Sequence, residues 1–208
     1  METTKRIINY LNRVKISRFM KCSVCNKKAE ANLKHLGVLC KECFSRTIEK
    51  RIRKTTRINR IFKKNDNILV FDKLSFFMVN KIVKDLPKKI FFYKEYNNIS
   101  QLNTKPIKDC IKKNKINRII IPWTLDDEIN QFLEQIFLNK KIKENEYIKL
   151  FKDATEEELD LFSKFNKIEY IKNKKNKGIE DFINKVEDRY TGTKFKLKKS
   201  YDRLSGLL

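Results

Sequence analysis

Three short apolar runs, each followed by an amphipathic stretch, constrain the fold of this chain more than any other feature. The apolar runs cover residues 67–71, 89–93 and 118–122, and the helical patterns cover residues 74–83, 105–115 and 125–138. Such runs suit buried strands, and a helix between successive strands imposes parallel pairing. The pattern therefore predicts an α/β fold, a parallel sheet with helices on both faces. Ligands bind such sheets at the carboxyl ends of the strands, here after residues 71 and 122.

Two Cys-X-X-Cys pairs precede the first predicted strand. They comprise Cys22, Cys25, Cys40 and Cys43. Four thiolates with this paired spacing favour a closed tetrahedral site and hence structural zinc. An iron–sulfur cluster can also use four cysteines, and two disulfides are an alternative typical of small secreted chains. His35 lies between the pairs and Cys110 lacks a Cys-X-X-Cys partner, so neither is predicted as a ligand.

The charge of the chain favours a polyanionic partner. Its 208 residues include 49 Lys and Arg against 26 Asp and Glu, which gives a net charge of +23. Nucleic acid is the first expectation for such a field. A membrane surface is the rival, but no apolar run approaches the length of a spanning helix. We therefore expect a soluble, cytoplasmic protein that does not bind membranes.

Two basic segments are the candidate RNA contacts. The first is a predicted helix whose apolar stripe comprises Phe44, Ile48, Ile52, Ile58 and Ile61. Its other faces carry Lys50, Arg51, Arg53, Lys54, Arg57 and Arg60. The second is the tail, with Lys194, Lys196, Lys198, Lys199 and Arg203. Either segment could instead be a solvated face, and the alternation over 194–198 also suits an edge strand whose lysines discourage aggregation.

Four blocks, in the same order, resemble the tRNA 2-thiolation proteins of the adenine-nucleotide alpha-hydrolase (PP-loop) superfamily. The first is the paired cysteines with Gly37-Val-Leu-Cys40 and the basic helix; the second is the strand 68–70. Pro122-Trp-Thr-Leu-Asp-Asp-Glu128 is similar to the family's Gly-His-Asn-Leu-Asp-Asp-Glu turn, and Tyr190-Thr-Gly-Thr-Lys194 to its Pro-Gly-Thr-Lys run. The resemblance implies a PP-loop ATPase (HUP-like) domain over residues 65–208, behind an N-terminal helix, a four-cysteine zinc module and a basic helix over residues 1–64.

The departures from this family matter as much as the matches. Active members adenylate the uridine C2 carbonyl with ATP and then deliver sulfur, using a Ser-Gly-Gly-Lys-Asp-Ser loop. Both glycines, which let backbone N–H groups close on a phosphate, are missing here. The family's His and Asn are replaced by Trp123 and Thr124, and Cys110 alone remains of an internal Cys-X-X-Cys. The degenerate loop consists of Phe71, Asp72, Lys73, Leu74 and Ser75.

These departures make the chain resemble the cytoplasmic tRNA 2-thiolation protein 2 family, the partner of the catalytic thiolase. The resemblance implies a subunit without catalytic residues, with structural zinc. Its implied partners are tRNA, the catalytic subunit and, through that subunit, a ubiquitin-like sulfur carrier. One alternative is a stand-alone zinc-containing RNA-binding protein. The other is an active enzyme with an unorthodox nucleotide site around Lys73, Ser75, Asp126 and Asp127, although the two aspartates also suit the start of a helix.

Two further local predictions concern helices. The spacing of apolar residues predicts an amphipathic helix over residues 4–19. Thr155 and Glu158 have the spacing of a capping box that opens a helix over 156–165. In the helix at 125–138, the residues expected to face inward are Ile129, Phe132, Leu133, Ile136 and Phe137.

Overall fold

The computed structural model describes residues 20–84, 88–94, 99–139 and 147–205. The helix predicted over 4–19 lies outside the described residues. The chain divides into two compact units, residues 1–48 and 49–208, and the division falls inside a helix. The boundary predicted after residue 64 stays a prediction.

The described part of the first unit is a small hairpin followed by the start of a helix. Strands β1 (Ala31–Leu33) and β2 (Gly37–Leu39) pair antiparallel, and Gly37 takes a φ of +76° where the turn enters β2. Glycine tolerates this left-handed conformation without a steric cost. Helix α1 (Lys41–Ile58) begins directly after Cys40. The hairpin thus places the second cysteine pair at a helix start.

Helix α1 confirms the predicted long basic helix and most of its apolar stripe. Phe44, Ile48 and Ile52 are buried. Ile58 is 68% exposed, so the stripe ends one turn earlier than predicted. The helix ends there, and Arg60 just beyond has a φ of 46°, so residues 58–61 no longer follow helical spacing.

The second unit contains a four-stranded parallel sheet, which confirms the predicted fold class. Its strands are β3 (Asp66–Val70), β4 (Lys88–Phe92), β5 (Arg118–Thr124) and β6 (Ile148–Phe151), in the order β4-β3-β5-β6. All three pairings are parallel. The chain moves outward to β4 and then returns to the other side of β3, so the strand order reverses between β3 and β5.

Strand β6 was not predicted from the sequence. It has four residues, and Lys149 interrupts its apolar pattern. The Lys149 ammonium is compensated within the fold, because it lies 2.8 Å from a carboxylate oxygen of Glu128. A contact of this kind joins distant parts of the chain and leaves no local signal.

Helices flank the sheet and mostly match the predicted stretches. They are α2 (Lys73–Ile82), a 3-10 helix (Ile99–Asn103), α3 (Lys105–Lys113), α4 (Leu125–Leu138), α5 (Glu156–Asn166), α6 (Lys177–Arg189) and α7 (Thr193–Ser205). The capping box of Thr155 and Glu158 is present at the start of α5. Residues 194–198 lie in α7, so the edge-strand alternative for the tail is wrong.

Two groups of buried side chains form much of the core of this unit. One joins β3 and β5 to α3 and contains Leu69, Phe71, Ile107, Ile121 and Trp123 with Leu102. The other joins α4 to α6 and is contacted by three side chains of α7. In α4, the inward positions predicted for Ile136 and Phe137 are wrong, because these side chains are 55% and 57% exposed. No described helix has the length and apolar character needed to cross a membrane.

Candidate functional site

The four paired cysteines converge in the first unit. Their Sγ atoms all lie within 4.8 Å of one another, and those of Cys25 and Cys40 are 3.5 Å apart. Tetrahedral coordination with metal–sulfur bonds of about 2.3 Å separates neighbouring sulfurs by about 3.8 Å, close to this arrangement. Cys25 is exposed and the other three are buried. The set could therefore hold one metal ion, and it does not include His35.

Backbone N–H groups donate hydrogen bonds to two of these sulfurs, and such bonds favour the thiolate form that binds a cation. The Val24 N–H donates to Cys22 Sγ, and the Cys43 N–H donates to Cys40 Sγ at the start of α1. Burial raises the pKa of the Cys22 thiol, but nearby backbone donors outweigh it and lower the pKa to about 6. Crowding by Cys25 and the other sulfurs raises the pKa of Cys43 to about 12. A bound cation relieves such crowding, because the thiolate is the form that binds metal.

The turn between β3 and α2 lies where the strand order reverses, which is where such sheets bind ligands. Asp72 caps α2: its Oδ1 accepts from the Ser75 N–H at 3.2 Å. Phe71, Leu74 and Ser75 are buried. Burial raises the pKa of Asp72 from the usual 3.8 to about 6, against hydrogen bonds from Ser75 that lower it. The start of this helix is thus occupied by the protein's own carboxyl group.

The turn between β5 and α4 is also held by its own side chains. Thr124 and Asp127 form a capping box, in which the Thr124 N–H donates to Asp127 Oδ2 at 2.8 Å. Trp123 is buried and donates from Nε1 to Glu128 Oε2 at 2.5 Å. Lys149 lies 5.0 Å from the centre of the Trp123 ring. Aspartates at the start of α4 therefore have the structural role that their position indicated.

Residues 169–176, which we call the polar strap, contact the end of β5 and the starts of α4 and α5. Asn173 Nδ2 donates to the Pro122 carbonyl at 2.6 Å and to Asp127 Oδ2 at 3.1 Å. The Lys175 side chain is 5% exposed and lies 3.3 Å from Asp127 and 2.5 Å from Glu156. Burial lowers the pKa of Lys175, but the two carboxylates outweigh it and raise the pKa above its usual range. The strap thereby places the Lys175 ammonium group and the Asn173 amide group at the starts of α4 and α5.

The residues of the alternative nucleotide site are engaged within the protein. Lys73 pairs with Glu169 of the strap at 2.9 Å, and Asp126 pairs with Lys194. Asp127 caps α4 and contacts Lys175, as described above. The structure brings these side chains to one edge of the sheet, where Lys73, Asp126 and Asp127 each have a charged partner and Ser75 is buried.

The six cations predicted on α1 divide into two groups. Arg51 Nη1 lies 2.8 Å from both carboxylate oxygens of the fully buried Glu158 and donates to the Asp153 carbonyl at 3.1 Å. The other five are exposed, and of these Arg53 donates to the Lys81 carbonyl at 3.3 Å. The exposed set is Lys50, Arg53, Lys54, Arg57 and Arg60.

The tail residues divide similarly. Lys194 pairs with Asp126, and Lys198 is 5% exposed and pairs with Asp202. Lys199 and Arg203 are exposed. RNA contact stays a prediction for all of these residues, and the exposed ones are available for it without breaking an ion pair among the residues that the structure describes.

Sequence reasoning missed the capping role of Asp72 and the whole of the strap. A signal for Asp72 existed, because aspartate immediately before an apolar helical pattern is a preferred N-cap. The strap offered none, since its role depends on contacts such as Asn173 to Pro122, 51 residues away in sequence.

Comparisons with known proteins show which proteins share the fold of this chain. No family model matches the chain. A stretch of 52 residues is 40% identical to the tRNA-5-methyluridine(54) 2-sulfurtransferase of Thermotoga maritima, covering 24% of this chain and 17% of that enzyme. The match thus spans less than a fifth of the enzyme. The U34-tRNA thiolase NcsA from Methanococcus maripaludis, solved with its 4Fe-4S cluster, superposes with a TM-score of 0.64. At 19% identity, that alignment covers 89% of this chain and 87% of NcsA. The chain therefore has the fold of a tRNA thiolase.

Proposed function

We propose that this chain is a non-catalytic subunit in the 2-thiolation of tRNA, pairing with a catalytic PP-loop thiolase and binding tRNA for modification of the wobble uridine. The fold shared with a U34-tRNA thiolase and the identity to a tRNA sulfurtransferase support thiolation. The altered turns at the sheet edge support a role without catalysis. The net charge of +23 supports contact with tRNA. We also propose a cytoplasmic location.

The observation that carries the proposal is the Asp72 cap. A phosphate at a helix start needs free backbone N–H groups, and glycines let the backbone approach it. In this chain the Asp72 carboxyl group accepts from the Ser75 N–H, and residues 66–75 contain no glycine. A phosphate would have to displace this side chain and, above its pKa of about 6, would meet a second negative charge.

The strap gives independent support. Lys175 and Asn173 hold the starts of α4 and α5 through two carboxylates and a carbonyl. A substrate group at this edge would have to replace a buried ion pair, and leaving a buried charge without its partner costs about 3–5 kcal/mol.

We further propose that the four cysteines bind structural zinc. Their sulfurs lie within 4.8 Å of one another, as around one small ion. In a cubane iron–sulfur cluster each cysteine binds a different iron corner, which sets the sulfurs farther apart. The chain has five cysteines, so Cys110 is the only one outside this set.

Titration with Mg-ATP by calorimetry tests the missing nucleotide site. We expect no binding heat up to millimolar ATP, because the loop offers no free N–H cradle. Micromolar affinity that Lys73→Ala abolishes would instead support an active enzyme.

Co-purification with the catalytic thiolase of the same cell tests whether this chain pairs with such a subunit. We expect the two chains to elute together, and deletion of this chain to lower 2-thiouridine in tRNA. Normal 2-thiouridine in the deletion strain, with RNA binding by the purified chain, would instead favour a stand-alone RNA-binding protein.

A further inference from the structure

Helix α3 carries a row of lysines that the sequence analysis did not single out. Lys105, Lys108 and Lys112 have the spacing i, i+3 and i+7, which places them on one face, and Lys115 follows the helix. All four are exposed. We call these four residues the lysine ridge, and we propose that the ridge binds the phosphate backbone of tRNA. This inference rests on the proposed function and adds a contact surface to it.

The ridge is held firmly by the opposite face of α3. Ile107 is buried in the core group of β3 and β5, with Cys110 and Ile111 packed against that group. Asn67 Nδ2 donates to the Asn114 and Lys115 carbonyls at 3.1 and 3.0 Å, which fixes the end of the helix. With a rise of about 1.5 Å per residue, Lys105 and Lys112 are about 10 Å apart along the axis. The ridge thus presents fixed points of attachment for several charges.

The ridge lysines differ from four paired lysines of this unit, because no carboxylate among the residues that the structure describes holds them. None of their ammonium groups has an ion pair or hydrogen bond with any part of the chain that the structure describes. By contrast, Lys149, Lys175, Lys194 and Lys198 each pair with a carboxylate. A polyanion can therefore bind the ridge without disrupting any of these internal pairs.

Helix stability does not account for the ridge. Lys105 and Lys108 lie in the first half of α3, where the helix dipole disfavours cations. Lys108 and Lys112 are four residues apart, and like charges at this spacing repel. Asp109 is the one acidic residue between 105 and 115. An external anion supplies the compensation that the helix itself lacks.

The surface suits RNA better than an acidic protein. Residues 105–115 include no exposed large apolar side chain, whereas protein interfaces usually centre on such anchors. Lysine contacts with regularly repeated phosphates need no such anchor and position a protein on a nucleic acid without reading its sequence.

The test compares two triple variants of the full chain that remove equal charge. The ridge variant is Lys105→Gln, Lys108→Gln and Lys112→Gln. The control replaces three exposed lysines of α5 and α6, Lys164→Gln, Lys177→Gln and Lys185→Gln. Binding of labelled tRNA is followed by fluorescence anisotropy over a series of KCl concentrations. The slope of log K against log salt is negative, and we expect its magnitude to decrease by about 2 to 3 for the ridge variant and by less than about 1 for the control.

Lysine acetylation of the unsubstituted chain, read by mass spectrometry, gives a second measurement that does not depend on a variant folding. We expect tRNA to protect Lys105, Lys108 and Lys112 and to leave Lys164, Lys177 and Lys185 reactive. Equal slopes for the two variants would overturn the proposal that the ridge binds tRNA. Protection of the ridge lysines by polyglutamate and not by tRNA would overturn it as well. The first result leaves the thiolation proposal intact, because co-purification and tRNA 2-thiouridine content test that proposal separately.

Discussion

At the residue scale, Asp72 shows how one side chain can occupy a ligand position. It is buried, it caps α2, and its pKa is raised from 3.8 to about 6. Because the folded state binds this proton more tightly than the unfolded chain does, Asp72 lowers stability as pH rises from about 4 through 6.

Replacing Asp72→Asn should remove this pH dependence while keeping an oxygen for the Ser75 N–H. We expect the unfolding free energy of the variant, relative to the unsubstituted chain, to rise by about 2 kcal/mol between about pH 4.5 and about pH 7.5. Urea unfolding followed by the fluorescence of Trp123, the only tryptophan, measures this difference. A difference that stays constant with pH would show that the folded Asp72 has an ordinary pKa.

Arg51 is the second residue whose role the structure changes. Its guanidinium compensates the fully buried Glu158, which also holds the capping box of α5. Removing one partner of a buried pair leaves an uncompensated charge.

We therefore expect Arg51→Gln to lower the free energy of unfolding by about 3 kcal/mol. Lys54→Gln on an exposed face of the same helix should change it by less than about 0.5 kcal/mol. Urea titrations of both variants give the comparison, and similar midpoints for the two would show that the Arg51–Glu158 pair adds no stability.

At the scale of elements, helix α1 combines a buried stripe with an exposed basic face. On this helix Lys50, Arg53, Lys54 and Arg57 are exposed although Arg51 is not, and Arg60 just beyond its end is exposed as well. Substitutions on the exposed face can therefore test RNA binding without touching the internal pair.

Charge reversal at Arg53→Glu and Arg57→Glu should weaken tRNA binding steeply at low salt and leave the order of preference among tRNA sequences unchanged. The matched control is Lys177→Glu with Lys185→Glu on α6, and circular dichroism checks the folding of both. Unchanged tRNA affinity in the Arg53 and Arg57 variant would show that this face is solvated or contacts another partner.

Local signals explain which elements could be predicted from the sequence. Helix α4 matched at both ends because its capping residues, Thr124 and Asn139, directly flank the segment. The exposed end of α4 was misjudged because the periodicity of Ile136 and Phe137 does not reveal where the packing against α6 and α7 stops. Strand β6 and the strap depend on ion pairs between distant residues, which no local pattern records.

At the scale of the whole molecule, the cysteine spacing predicted which four sulfurs converge, and the structure confirms their proximity. The strand and helix alternation likewise predicted the parallel sheet. The groups at this sheet edge were only partly predictable: the missing glycines are visible in the sequence, but Asp72, Asp127 and Lys175 come from three separate segments.

Metal analysis tests the cysteine site with a control inside the same chain. We expect Cys22→Ser to lose about one zinc ion per chain and to destabilise the hairpin unit, because sites of this kind depend on their metal. Cys110→Ser should retain the metal, since Cys110 lies outside the cluster. Iron in place of zinc, or loss of metal in the Cys110 variant, would contradict the assignment.

The burial of Phe71 limits which residues this position tolerates. A glycine here, as in the loop of the PP-loop proteins that the sequence resembles, would remove a ring that packs in the core group of β3 and β5 and contacts Tyr93. Such a change costs about 3–5 kcal/mol, a large part of the stability of an ordinary domain. A glycine-containing phosphate-binding loop is therefore not reached from this sequence by a single Phe71→Gly substitution without a large loss of stability.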